Sequence, residues 1–159
     1  MKAMLRVDVR RFAGEPVSTT GLLAPDDAAF DGLAFAFTSP VSVDGTLRET
    51  AEGDFRWQGH VQATVRGECR RCLVPVEQVI DEEIEVFFSG NPELTEDPAV
   101  YALPENPTVV DVAVAVREEL VLRVSAFPLC RADCRGLCAN CGADLNAGPC
   151  PCTASGTTN

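Results

Sequence analysis

Phe55 to Arg66 reads FRWQGHVQATVR, and its alternation decides the fold. Phe55, Trp57, Val61, Ala63 and Val65 share one parity, while Arg56, Gln58, His60, Gln62, Thr64 and Arg66 share the other. Successive side chains of a strand point to opposite faces, so this pattern predicts a strand with one buried and one wet face. Just upstream, Val41, Val43 and Leu47 alternate with Ser42, Asp44, Thr46 and Arg48, and Glu52-Gly53-Asp54 separates the two segments. Two alternating runs around a glycine-bearing turn predict an antiparallel hairpin.

Further strands extend the pattern. Val76, Ile80, Ile84, Val86 and Phe88 share a parity within Val76 to Phe88, and Leu5, Val7 and Val9 suggest an N-terminal strand. Thr20 to Pro40 mixes turn formers with Leu22, Leu23, Phe30, Phe35 and Phe37, and reads as a loop with a short strand. Residues 89–107 contain Gly90, Pro92, Pro98, Pro104 and Pro107, so a surface loop is expected. Thr108, followed three residues later by Asp111, resembles a capping pattern, and Val112, Val116, Leu120 and Val124 then recur every fourth residue. This spacing predicts one helix over Val109 to Val124. Strands joined by short turns rather than alternating with helices place the chain in the α+β class. The expectation is an antiparallel β-sheet or partly closed β-barrel with one C-terminal helix and a cysteine-rich, metal-binding tail. Residues 1–124 would form the mainly antiparallel β domain ending in the helix, and 125–159 the tail folding back on it.

The chain has 159 residues and a formal net charge of −11, unevenly spread. Residues 73–129 hold two basic and twelve acidic groups, against nine and ten in 1–72 and two and two in 130–159. Such an acidic block repels bare phosphate backbone and suits either solvation or a basic protein partner. Met1 to Phe12 reads MKAMLRVDVRRF, too charged for the apolar core of a signal peptide, and Val109 to Val116, the most apolar run, is broken by Asp111. A cytoplasmic protein with no membrane association is expected.

Eight cysteines form four close pairs: Cys69/Cys72, Cys130/Cys134, Cys138/Cys141 and Cys150/Cys152. In a reducing compartment such pairs favour metal over disulfides. Cys69/Cys72 and Cys138/Cys141 have the C-x-x-C spacing with which one tight turn grips a tetrahedral ion, and structural zinc is the expected cofactor. The first expectation joins Cys69, Cys72, Cys138 and Cys141 in one site and leaves Cys130, Cys134, Cys150 and Cys152 for a possible second. A local alternative groups Cys130, Cys134, Cys138 and Cys141. Residues 125–159 have few apolar side chains to bury, whereas structural zinc supplies about 10–16 kcal/mol of apparent binding energy.

Four thiolates leave no coordination position open for water or substrate, so these sites read as structural and no catalytic residue is expected. His60, the one histidine, lies on the polar parity of its strand and reads as a surface residue. No phosphate-binding loop occurs, so no nucleotide site is evident, and no small-molecule substrate is expected. The alternative is a cytosolic dithiol redox protein or sensor using Cys69-Arg-Arg-Cys72; that motif follows a β-meander here, not the βαβ strand a thioredoxin-like site requires.

Three segments occur in order: GECRRCLVPVEQVIDEEIEVFF, VREELVLRVSAFPLC and CRGLCANCGADLN. Together they resemble the YceD family, most strongly through Cys69, Arg71, Cys72 and Leu73, then Glu118 and Leu120, then Gly136, Leu137, Cys138, Cys141, Gly142, Leu145 and Asn146. The resemblance covers most of the chain; the N-terminal forty residues match loosely. It implies a role in large ribosomal subunit biogenesis in bacteria, supporting accumulation of large-subunit (23S) rRNA, without implying an enzymatic activity; with no catalytic residue expected, a non-enzymatic factor is the expectation. Partners would be the large-subunit precursor, through its rRNA or a basic ribosomal protein. Asp81, Glu82, Glu83, Glu85, Glu93, Glu96 and Asp97 are candidates for steering a basic protein. Arg66, Arg70, Arg71, Arg131 and Arg135, which flank the cysteines, are candidates for RNA contact.

Overall fold

The computed structural model describes residues 4–51 and 53–154. Glu52 of the expected hairpin turn, the first three residues and the last five lie outside the described residues. The chain divides into two compact units, one containing residues up to Val65 together with Val79–Val124, the other Arg66–Gln78 together with the chain from Ser125 onward.

The first unit is built on the expected hairpin. β4 (Val41–Ala51) and β5 (Asp54–Glu68) pair antiparallel, with Leu47 opposite Trp57 and Val43 opposite Val61. β2 (Val17–Leu23) pairs with the outer side of β4, Val17 opposite Leu47, and β6 (Pro75–Ser89) lies on the other side of β5. The short β3 (Ala36–Phe37) also pairs with β5. β7 (Val100–Ala102) adds to β6 in parallel, with Phe88 beside Tyr101. β1 (Arg6–Asp8) and β8 (Val109–Asp111) form a separate two-stranded antiparallel sheet. The class is α+β, with mixed and antiparallel sheets and no closed barrel.

Three expectations change. Within Thr20 to Pro40 and just before it, β2 is a full strand, because Thr19 and Leu23 turn inward while Ser18, Thr20 and Leu22 face out. The proline-rich stretch 89–107 contains β7, whose Val100-Tyr101-Ala102 is free of proline. The helix starts later than expected. Val109 and Val110 are drawn into β8, and Asp111 itself caps α1 (Val112–Arg123) by accepting a 3.0 Å hydrogen bond from the Ala113 N–H. Val112, Ala115, Val116 and Leu120, spaced at three and four residues, are the buried face of α1.

These faces converge on one core with Trp57, Leu47, Val41, Val61, Ile84 and Val86 at its centre. The Trp57 indole donates a 2.7 Å hydrogen bond to the buried Thr19 hydroxyl, so its one polar group is satisfied. Room for the ring comes from Gly45 and Gly59, which lie opposite each other in the register. A Cβ at Gly59 would sit 2.5 Å from the indole and one at Gly45 2.6 Å from it, so any side chain there collides with Trp57.

The outer face is polar, as its parity predicts. Arg56 pairs with Glu85 and His60 with Asp81, and Gln62 donates to Asp81 at 3.2 Å. His60 is thus an exposed partner in a cross-strand pair. Asp81, Glu82, Glu83 and Glu85 are all exposed. Among the described residues, no helix is long and apolar enough to cross a membrane.

Candidate metal centres

The second unit carries all eight cysteines, and none is in a disulfide. They gather into two groups of four: Cys69, Cys72, Cys130 and Cys134, then Cys138, Cys141, Cys150 and Cys152. Within each group every sulfur lies within 4.8 Å of the others. This corrects the expected partition. Cys69/Cys72 meets Cys130/Cys134 rather than Cys138/Cys141, and the latter knuckle meets Cys150/Cys152.

Each group rests on one knuckle, and the two knuckles repeat the same hydrogen bonds. In the first, the Cys69 N–H donates to the Val74 carbonyl at 2.8 Å and the Leu73 N–H to the Cys69 carbonyl at 2.9 Å. In the second, the Cys138 N–H donates to Ala143 at 2.8 Å and the Gly142 N–H to Cys138 at 2.9 Å. A turn this tight needs left-handed backbone just after the second cysteine. Gly142 supplies it at φ 73° and Leu73 at φ 65°, the one positive φ outside glycine among the described residues.

The loop that completes the first group is tied to its knuckle from several sides. The Arg70 N–H donates to the Pro128 carbonyl at 2.9 Å. The Arg71 guanidinium donates to the Cys134 carbonyl at 2.9 Å, and the Leu137 N–H to the Arg71 carbonyl at 3.2 Å. Asn146 adds a further clamp. Its amide donates to the Cys134 sulfur at 3.4 Å, and its Oδ1 accepts from the Arg131 guanidinium and the Arg135 N–H, each at 2.8 Å. Val76, Leu129 and Leu137 pack around the buried sulfurs of this group.

The sulfur separations in the first group fit a tetrahedral ion. Metal–sulfur bonds of about 2.3 Å place neighbouring sulfurs of a regular tetrahedron about 3.8 Å apart. Cys69 and Cys134 are 3.8 Å apart and Cys72 and Cys130 3.6 Å, far beyond the roughly 2 Å of a disulfide. Backbone N–H groups also aim at the sulfurs. The N–H of Cys72, with those of Cys130 and Arg71, draws the Cys69 thiol down to about 6 against its burial. The N–H groups of Cys141 and Asn140 draw Cys138 down to about 6, and the Asn146 amide leads in lowering Cys134. Their neighbours move the other way. Burial, then the surrounding thiols, push Cys130 up to about 12, and the Cys141 thiol, then burial, push Cys152 up to about 12. Cys72 is pulled down by the Val74 N–H, but burial and Cys69 outweigh that and raise it. Each group therefore draws some thiols toward thiolate while burial and neighbouring sulfurs hold others protonated. A bound cation removes that obstacle and favours four thiolates together.

The five arginines expected at RNA sort into two kinds. Arg71 and Arg131 are turned into the loop scaffold, Arg131 also facing Asp133 at 3.4 Å. Arg66 is exposed opposite Glu77 at 3.6 Å. Arg70 lies over the Phe127 ring, 5.4 Å from its centre, and the guanidinium groups of Arg70 and Arg135 make no hydrogen bond or ion pair among the described residues. Sequence reasoning missed the roles of Asn146 and Arg71 as supports of the sulfurs. Both stand within the quoted motifs, but nothing in their spacing says which cysteine they reach.

The family described as "Large ribosomal RNA subunit accumulation protein YceD" matches residues 57–158. An uncharacterized protein of Mycobacterium tuberculosis (strain ATCC 25618 / H37Rv) is 33% identical over 95 residues, which cover 57% of this chain and 45% of the relative. One of Mycobacterium leprae (strain TN) is 29% identical over 115 residues, covering 70% and 52%. The chain spans about half the length of the curated relatives it matches. No solved structure matches it. The family match runs from Trp57 through both cysteine groups, and on that extent this chain belongs to the YceD family.

Proposed function

We propose that this protein is a non-enzymatic factor in large ribosomal subunit biogenesis, acting in the cytoplasm, with its second unit held together by two structural zinc ions. The observation that carries the zinc reading is the gathering of four thiols within 4.8 Å of one another in each group, with separations of 3.8 and 3.6 Å in the first. Such a site has no open position for a reacting water, so the ion orders the chain around it instead of performing chemistry. The family description carries the ribosomal reading, and it names accumulation of the large ribosomal RNA subunit.

Charge divides the work between the units. The first unit holds eight basic and twenty acidic groups, whereas the second holds five arginines, four carboxylates and two four-thiolate zinc sites that each add a net charge of about −2, so its positive charge is local to the arginines. All the arginines proposed for RNA are therefore in the metal-bearing unit, and the acidic first unit suits a basic ribosomal protein. Nothing in either cysteine group favours the dithiol alternative: each C-x-x-C pair has two further cysteines against it, which suits a closed metal cage better than an exchanging disulfide.

Depletion of the protein tests the proposal in cells. The ratio of large- to small-subunit rRNA should fall and be restored by the wild type and by His60→Ala, but not by Cys69→Ser/Cys134→Ser. An unchanged ratio on depletion would remove the ribosomal reading.

A further inference from the structure

Phe127 is an aromatic ring left in water on a rigid mount. It is 71% exposed, yet the backbone around it is fastened on both sides. The Ser125 N–H donates to the Gln78 side chain at 2.9 Å, and the Phe127 N–H to the Ser125 hydroxyl at 3.2 Å. The following Pro128 accepts from the Arg70 N–H at 2.9 Å and stands close to Gly67, where a Cβ would meet the proline ring at 3.6 Å. A single exposed apolar residue is ordinary on a protein surface. This one differs because Arg70 lies over the ring, 5.4 Å from its centre, with its guanidinium donors making no hydrogen bond among the described residues. The exposed apolar side chains of α1, Val114, Val121 and Leu122, have no such companion, and nothing shows what would cover them.

We propose that Phe127 and Arg70 form a stacking platform for an unpaired nucleobase of single-stranded RNA. One face of the phenyl ring stacks the base, and the guanidinium supplies donors to the adjoining phosphate or base edge. Charge supports this occupant. Arg66 faces Glu77 and Arg71 and Arg131 are engaged within the scaffold, so among the described residues the guanidinium groups left for a ligand in this unit are those of Arg70, at the ring itself, and Arg135. A basic protein segment would meet like charge there. The inference rests on the large-subunit reading for the source of the RNA, and it adds the residues and the chemistry by which the RNA is held.

The test is fluorescence anisotropy of zinc-loaded full-length protein with a fluorescein-labelled single-stranded RNA and with the same sequence in a duplex. Wild type should prefer the single strand, and Phe127→Ala should bind it about ten-fold more weakly or worse. Phe127→Trp should keep the affinity and lose tryptophan emission as RNA is added, a signal that the fully buried Trp57 does not give in wild type. Should Phe127→Ala lose zinc or melt early, Arg70→Gln and the Phe127→Trp quench decide instead. Equal affinity of wild type and a folded Phe127→Ala, or no quench in Phe127→Trp, overturns the platform. So does a wild type that ignores RNA but needs Phe127 to bind a ribosomal protein. Co-sedimentation with large-subunit precursors separates the two levels: particle association with Phe127-independent RNA binding removes the platform alone, and Phe127-dependent RNA binding without particle association removes the ribosomal reading alone.

Discussion

Leu73 and Gly142 occupy the same place in two equivalent knuckles, each donating its N–H at 2.9 Å to the carbonyl of the first cysteine, each with positive φ. One is a glycine, for which this backbone is free of penalty; the other is a leucine, for which left-handed backbone costs about 1–2 kcal/mol. The first knuckle is therefore strained where the second is relaxed. The Leu73 side chain does not recover that cost by burial, since it is 57% exposed.

Exchanging the two residue types exposes the asymmetry. Leu73→Gly is expected to keep both metals and to leave stability unchanged or raise it by up to about 1 kcal/mol, relief of strain being partly offset by the freer unfolded chain. Gly142→Leu should lower it by about 1–2 kcal/mol. Urea unfolding at fixed zinc concentration measures both. A loss in Leu73→Gly as large as that in Gly142→Leu would show that the two sites are not equivalent.

Asn146 reaches the first centre without being a ligand. Asn146→Ala removes the amide that bonds the Cys134 sulfur and the oxygen that holds Arg131 and the Arg135 N–H. Loss of such a supporting group is expected to weaken metal binding at this centre by about 10–100-fold. Competition with a chromophoric chelator should show one weakened ion and one unaffected, because Asn146 touches no sulfur of the second group among the hydrogen bonds described.

Trp57 makes the first unit sensitive to the smallest substitution. Gly59→Ala places a methyl group 2.5 Å from the indole and 2.6 Å from the Asp44 carbonyl oxygen. The strand cannot yield without moving its neighbours, so a loss of about 1–3 kcal/mol is expected. Near-ultraviolet circular dichroism and thermal melting should report it while zinc content stays at the wild-type value. A neutral substitution would mean that the ring packs elsewhere.

The acidic strand offers a cleaner test through Glu82 and Glu83 than through Asp81 and Glu85, which already pair with His60 and Arg56. Glu82→Lys/Glu83→Lys should slow association with a basic ribosomal protein and flatten its salt dependence, with little effect on dissociation. Stopped-flow mixing at two ionic strengths measures this. An unchanged association rate would remove the acidic surface from the proposed function.

How much of this was readable in advance follows from what each signal encodes. The β4–β5 hairpin and β6 were legible because one buried face imposes strict alternation, as in Phe55 to Arg66. β7 was hidden among prolines, and β2 was obscured because its inward positions include Thr19, a polar residue whose buried partner is Trp57, thirty-eight positions away. At the helix start the Thr108-to-Asp111 spacing marks a cap but not that Asp111 itself fills it, since Val109 and Val110 can serve strand or helix until β1 is there to pair with them. The knuckles at Cys69/Cys72 and Cys138/Cys141 were legible because a C-x-x-C turn is local. Which other pair completes each group was not, because it depends on long-range bonds such as Arg70 to Pro128 and Arg71 to Cys134 that spacing does not encode.

The central claim is that the eight cysteines form two separate cages in the observed partition, and zinc stoichiometry of Cys69→Ser/Cys134→Ser tests it most directly. These two residues belong to one group here, whereas the partition expected from C-x-x-C spacing would put them in different groups. Mass spectrometry of protein purified under reducing conditions without a histidine tag should find two zinc ions in the wild type and one in the variant. A wild type with fewer than two, or a folded variant with none, would contradict it.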